Sequence, residues 1–143
     1  MDGPISPMPG SPEAPTEEAF LPETIWDSSD AEKRQLQLLQ WLNQPVLFPE
    51  SFWNEGLKRE TEEFSLTILL SLFRENRPAN GFSQILPFLQ HASPRVRANA
   101  AEALRAIRPQ SAGPFLYPLL EDPHNRVRGA AILALTLDPL FAP

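Results

Sequence analysis

The stretches PRVRANAAEAL, residues 94–104, and NRVRGAAILAL, residues 125–135, lie 31 residues apart and decide the fold. Around them Ile85 to Leu104 lies over Leu116 to Leu135 without a gap. Identical pairs are Pro87/Pro118, Leu89/Leu120, Arg95/Arg126, Val96/Val127, Arg97/Arg128, Ala100/Ala131, Ala103/Ala134 and Leu104/Leu135. Eight identities in twenty positions, with an Arg-Val-Arg triplet and the small residues kept together, mark an internal repeat.

Each unit reads as two helices. In the first, helix A covers Phe82 to Gln90 with Ile85, Leu86 and Leu89 inward, and His91 and Ala92 form a turn. Ser93 caps helix B, and Pro94 takes the first helical position, where its missing N–H costs nothing. Val96, Ala100, Ala103, Leu104 and Ile107 then fall on one stripe at helical spacing. The second unit repeats the scheme. Phe115, Leu116, Leu119 and Leu120 point inward, Asp122 and Pro123 make the turn, and Val127, Ala131, Ala134 and Leu135 form the stripe.

A helix, an Asp-Pro-type turn and then Val-Arg-x-x-Ala-x-x-Ala-Leu resembles a HEAT repeat. The short period is similar to that of phycobilisome-lyase-like HEAT proteins. The resemblance covers residues 82–138 and divides them into repeats 82–108 and 113–138. It implies an all-α fold, a short α-α superhelix or solenoid, in which units stack because one pair cannot cover its own apolar stripe.

Upstream the pattern fades. Ser29 and Glu32 have capping-box spacing ahead of a helix with Leu38, Trp41 and Leu42 on one face and Lys33, Arg34, Gln37 and Gln40 off it. Pro45 ends that helix, and Pro49 opens a short one carrying Phe52, Trp53 and Leu57. A longer helix, Glu60 to Glu75, is apolar nearly all round between Phe64 and Phe73. Shifting by 31 residues sets Leu69, Leu72 and Phe73 under Ala100, Ala103 and Leu104, but Ser65 and Leu66 replace Val96 and Arg97. Residues 31–75 therefore read as a degenerate helical cap.

The start of the chain is different in kind. Six prolines (Pro4, Pro7, Pro9, Pro12, Pro15 and Pro22) precede residue 23, and large apolar residues are few. Such a segment buries too little surface to offset its chain entropy. Residues 1–24 are expected to be a disordered acidic tail before a helical domain over residues 25–143. Residues 1–32 hold eight acids and no base, whereas residues 33–143 hold twelve bases and ten acids, a balance of +2. That near-neutral folded part argues against nucleic acid as the partner. Cysteine is absent, the N-terminus lacks a secretory pattern, and no apolar run spans a membrane. The expected location is the cytoplasm.

No catalytic constellation stands out. His91 and His124 sit at different repeat positions, in turns, and neither has a ligand partner at helical spacing. There is no nucleophile elbow and no phosphate loop. No cofactor and no metal are expected. The set that invites interpretation is Arg95, Arg97, Arg126 and Arg128, which stacking would align into a ladder beside the starts of two B helices. The HEAT resemblance implies that Arg97 and Arg128 pair with turn acids or carbonyls of neighbouring units, with Asp122 as the candidate acid; the alternative is that Arg95, Arg97, Arg126 and Arg128 together form an anion-binding strip for a partner. Arg95 and Arg126, off the apolar stripe, suit partner contact.

The last helix is more apolar than the one before it: Asn99, Glu102 and Arg105 become Ala130, Leu133 and Thr136, and Ala101 becomes Ile132. A terminal repeat ordinarily turns a polar face outward. An interface, as in a homo-oligomer, or a continuation of the array is expected there. The resemblance implies a non-catalytic protein–protein interaction module, an adapter or scaffold, with an unknown protein partner. The alternatives are a nucleic-acid-binding or DNA-glycosylase-like HEAT protein, and a bilin-lyase-like or chaperone-type partner of pigment proteins.

Overall fold

The computed structural model describes residues 20–107 and 109–136. A 3-10 helix, Pro22–Asp27, precedes α1 (Ala31–Leu42), α2 (Glu50–Arg59), α3 (Glu63–Asn76), α4 (Gly81–Ile85), α5 (Pro94–Ile107), α6 (Pro109–Leu116) and α7 (Asn125–Thr136). Two further 3-10 helices, Leu86–Gln90 and Tyr117–Glu121, continue α4 and α6. No strand occurs among the described residues. α1 packs on α3, α3 on α5 and α5 on α7, while α4, α6 and their extensions pack on the helices that follow them. The result is the all-α superhelix expected, with four helical pairs in one stack.

The register extends further than the motif. The residues just before α1, α3, α5 and α7 are Asp30, Glu62, Ser93 and His124, so the pairs recur after 32, 31 and 31 residues. Residues 31–75, expected as a degenerate cap, supply two of these units, and the first draws on residues before 25. Within the described residues Phe20 meets Trp41 edge-on at 5.9 Å, and the first 3-10 helix starts at Pro22. Residues 1–19, the bulk of the expected tail, lie outside the described residues, as do Arg108 and residues 137–143.

Several local expectations are corrected. Asp30, not Ser29, caps α1, accepting from the Glu32 and Lys33 N–H groups at 3.1 and 3.2 Å. A carboxylate one residue nearer the helix is the stronger acceptor for its orphan donors. The long helix starts at Glu63 rather than Glu60, because Glu62 takes the cap, accepting from Ser65 N–H at 2.8 Å, and Glu60 turns inward. Helix A of each of the last two units is split. Pro87 and Pro118 donate no backbone bond, so the chain tightens into 3-10 geometry there. Helix A of the last unit begins at Pro109, not 113.

Leu116 and Leu119 are buried as expected, but Phe115 and Leu120 are exposed. Leu120 stands where Leu89 stands one repeat earlier, in the same 3-10 geometry; Leu89 is covered by the following unit, and Leu120 has no further unit over it among the described residues. Phe115 instead meets Phe82 edge-on at 5.4 Å, joining neighbouring A helices.

Packing changes style along the stack. Small residues (Ala98, Ala100, Ala101, Ala103, Ala130, Ala131 and Ala134) fill the buried faces of α5 and α7, whereas the N-terminal half of the core is filled largely with rings. Trp26 donates its indole N–H to the Phe52 carbonyl at 3.0 Å. Its ring lies so near Gly56 that a Cβ there would come within 2.4 Å of Cζ2. That approach explains a glycine inside α2.

The two ends differ. Val96, Ala100 and Ala103 are fully buried, as are Val127 and Ala131 at the equivalent places in α7. In α1 those positions hold Lys33, Gln37 and Gln40, with Lys33 and Gln40 exposed. Among the described residues, α1 thus presents polar side chains at these places, with Leu36 exposed between them.

Candidate functional site

The starts of the long helices are built alike. Four residues after each cap position stand Arg34, Leu66, Arg97 and Arg128. Every arginine of this series sends Nη1 back to a carbonyl six residues earlier: Arg34 to Ser28 at 2.7 Å, Arg97 to His91 at 2.8 Å and Arg128 to Asp122 at 2.8 Å. Helical geometry aims the side chain towards the N-terminal turn, where those carbonyls are otherwise unpaired.

Two of the three also reach a carboxylate in the turn of the next unit. Arg97 grips Asp122 with Nε to Oδ2 at 2.9 Å and Nη2 to Oδ1 at 3.0 Å. Arg34 grips Glu60 with Nε to Oε2 at 2.7 Å and Nη2 to Oε1 at 3.2 Å. Both are two-pronged charge-assisted pairs. They are shielded: side-chain exposure is 14% and 0% for Arg34 and Glu60, and 14% and 8% for Arg97 and Asp122. Arg97 is thus occupied by the joint between units. Among the described residues, Nε and Nη2 of Arg128 have no partner.

Arg95 and Arg126 are exposed, one repeat apart, and neither side chain takes part in a hydrogen bond or ion pair among the described residues. The two histidines close their own turns. His91 Nδ1 accepts from Ser93 N–H at 3.0 Å and His124 Nδ1 from Arg126 N–H at 3.2 Å. Among the described residues no three ligating side chains gather into a metal site.

Arg34 is the member of this series that the sequence reading left on the solvated face. The signal was present: Asp30 to Arg34 has the spacing of Ser93 to Arg97, hidden by one extra residue in the period.

The electrostatics follow the geometry. The hydrogen bonds from Arg97 hold the Asp122 carboxyl below the usual aspartate range, against the opposing effect of burial. The bond to Glu60 raises Arg34 further. Burial pushes Glu62 up, but donors from the Ser65 and Phe64 backbone and from Gln35 outweigh it, and the net direction is down. Because Asp122 titrates lower folded than unfolded, its stabilisation is fully present above about pH 4 and is lost as pH falls through the folded value. Thermal melts of wild type and Asp122→Asn are expected to differ by a constant amount from neutral pH down to about 5 and to converge below about 4. A gap that stays constant down to pH 2 would show that the pair does not control acid stability.

Residues 64–136, half of the chain, match a family model of HEAT repeats. The match takes in α3 as well as the two units with the full motif. No curated protein and no solved structure matches the chain.

Proposed function

Since the chain belongs to the HEAT-repeat family, whose members generally mediate protein–protein interaction, we propose that it is a non-catalytic adapter or scaffold that recognises a protein partner through Arg95 and Arg126. The observation that carries this reading is the contrast within the ladder. Arg97 is locked into Asp122, whereas Arg95 and Arg126, two residues earlier on each helix, hold their guanidinium groups in water at one repeat spacing. Both stand on the first turn of a helix, where the backbone adds positive potential. An acidic stretch of a partner protein fits such a pair. No helix among the described residues is long and apolar enough to cross a membrane.

The test is affinity capture from native lysate by the full chain and by its Arg95→Glu/Arg126→Glu variant, both first checked for equal helicity and melting. A protein retained by wild type and lost by the variant is expected. Identical captures by both would remove these arginines from the site. A steep fall of nucleic-acid binding with salt, with a slope of several phosphate contacts, would instead favour a nucleic-acid partner.

A further inference from the structure

The two ends of the described stack differ. Position 98 of α5 and its equivalents face the next long helix: Asn99 of α5 reaches back to the Thr67 carbonyl at 3.2 Å. Under that contact Thr67 and Leu70 of α3 are buried by α5, and Ala98 and Ala101 of α5 are buried by α7. The same two places in α7 are Gly129 and Ile132. A Cβ on Gly129 would meet nothing within 4 Å, and Ile132 is 50% exposed where Ala101 is 0%. On the helix A side Leu89 is 6% exposed and its equivalent Leu120 is 36%. Beside them lies Arg128, with the first half of the Arg34 and Arg97 pattern complete and the carboxylate half vacant among the described residues.

We propose that this end, formed by Leu120, Gly129, Ile132 and Arg128, receives a helical hairpin of a partner protein that brings an aspartate or glutamate at its inter-helix turn onto Arg128. Charge complementarity selects this occupant. Twice within the chain, at Arg34–Glu60 and Arg97–Asp122, the arginine at this register takes a carboxylate from the turn of the next pair. A second copy fits less well at either of its ends. Its α1 end exposes Leu36 among Lys33, Gln37 and Gln40 but has Ser28 where the later turns have Glu60 and Asp122, so it brings no carboxylate at that register, and two α7 faces meeting about a two-fold axis would bring two copies of Arg128 together. The proposal rests on the reading of the chain as an interaction module and names a surface separate from Arg95 and Arg126.

The probe is a labelled peptide of residues 109–136, which carries Asp122 in the required turn. Ile132→Lys is built into the peptide so that it cannot extend further. Titrated with the full chain, it is expected to bind saturably. Asp122→Asn in the peptide should weaken binding about ten-fold or more, the loss of a two-pronged charged pair. Ile132→Glu in the chain, at a half-exposed site and checked for an unchanged melt, should abolish it. Arg128→Glu in the chain should prefer a peptide with Asp122→Arg over the natural one. No saturable binding, or equal binding of the aspartate and asparagine peptides, overturns the proposal. Binding insensitive to Ile132→Glu also overturns it, since the peptide would then be displacing the chain's own α7. A chain that dimerises in light scattering and becomes monomeric with Ile132→Glu assigns the face to a second copy. Peptide binding restored only by removing residues 137–143 assigns it to the chain itself. None of these failures touches capture through Arg95 and Arg126, so the two readings fall separately.

Discussion

Val96→Asp is expected to abolish the folded state at neutral pH and room temperature. Val96 is fully buried between neighbouring helices of the stack, with Ala100 and Leu104 on the same stripe. An aspartate there has no cation in reach, because Arg95 points to water and Arg97 is held by Asp122. The group must therefore enter the core protonated. Holding an acid of ordinary pKa near 3.9 neutral at pH 7 costs about 4 kcal/mol. Burying its carboxyl without partners adds about 1–3 kcal/mol, and the valine's own burial is lost as well. That sum meets or exceeds the total stability of many domains, about 5–15 kcal/mol. Val96→Ala, which only opens a cavity, should cost about 1–3 kcal/mol and leave a cooperative melt at lower temperature. Circular dichroism at 222 nm separates the three proteins. A Val96→Asp melt that overlays wild type would mean the helix faces are assigned wrongly.

Arg34→Ala is expected to give the second largest loss. Its partner Glu60 is fully buried in its side chain and, without Arg34, keeps the Glu62 N–H at 3.0 Å as its one described donor. Removing one partner of a buried ion pair costs about 3–5 kcal/mol because the other charge is stranded. For a domain of this size that is a fall of roughly 10–20 °C in Tm. Arg34→Met/Glu60→Leu should recover most of it, since neither charge then needs solvation. The exposed pair Arg59–Asp27, at 3.0 Å, serves as the control: Arg59→Ala should cost less than about 1 kcal/mol. Urea titrations with unchanged slope would measure all three. A loss at Arg34 no greater than that at Arg59 would show that water reaches Glu60 and that the pair behaves as a surface one.

The two effects differ in how far the sequence foreshadows them. Val96 announces itself through its period, shared with Val127 and with the alanines that follow. The signal for the Arg34–Glu60 pair is fainter: only the Asp30-to-Arg34 spacing carries it, one extra residue shifts the period, and Leu66 interrupts the arginine series between Arg34 and Arg97. Arg97 and its partner Asp122 could be read as a pair because both belong to the repeated units.

Apolar spacing at 3.6 residues, the 31-residue identity and the capping residues were enough by themselves to determine an all-helical stack and the inward stripes of α5 and α7. These are local or periodic properties, and a chain records them in order. Tertiary structure alone decided that α1 to α3 are full members of the stack, that the helices carrying Pro87 and Pro118 end in 3-10 turns, that Leu89 is covered and its equivalent Leu120 is not, and which arginine is taken and which is open. Those outcomes depend on what the next helical pair places opposite each side chain. Across roughly 25 residues of sequence, only the packed distance brings Arg34 to Glu60 and Arg97 to Asp122 and leaves Arg128 at the last described unit without a carboxylate among the described residues.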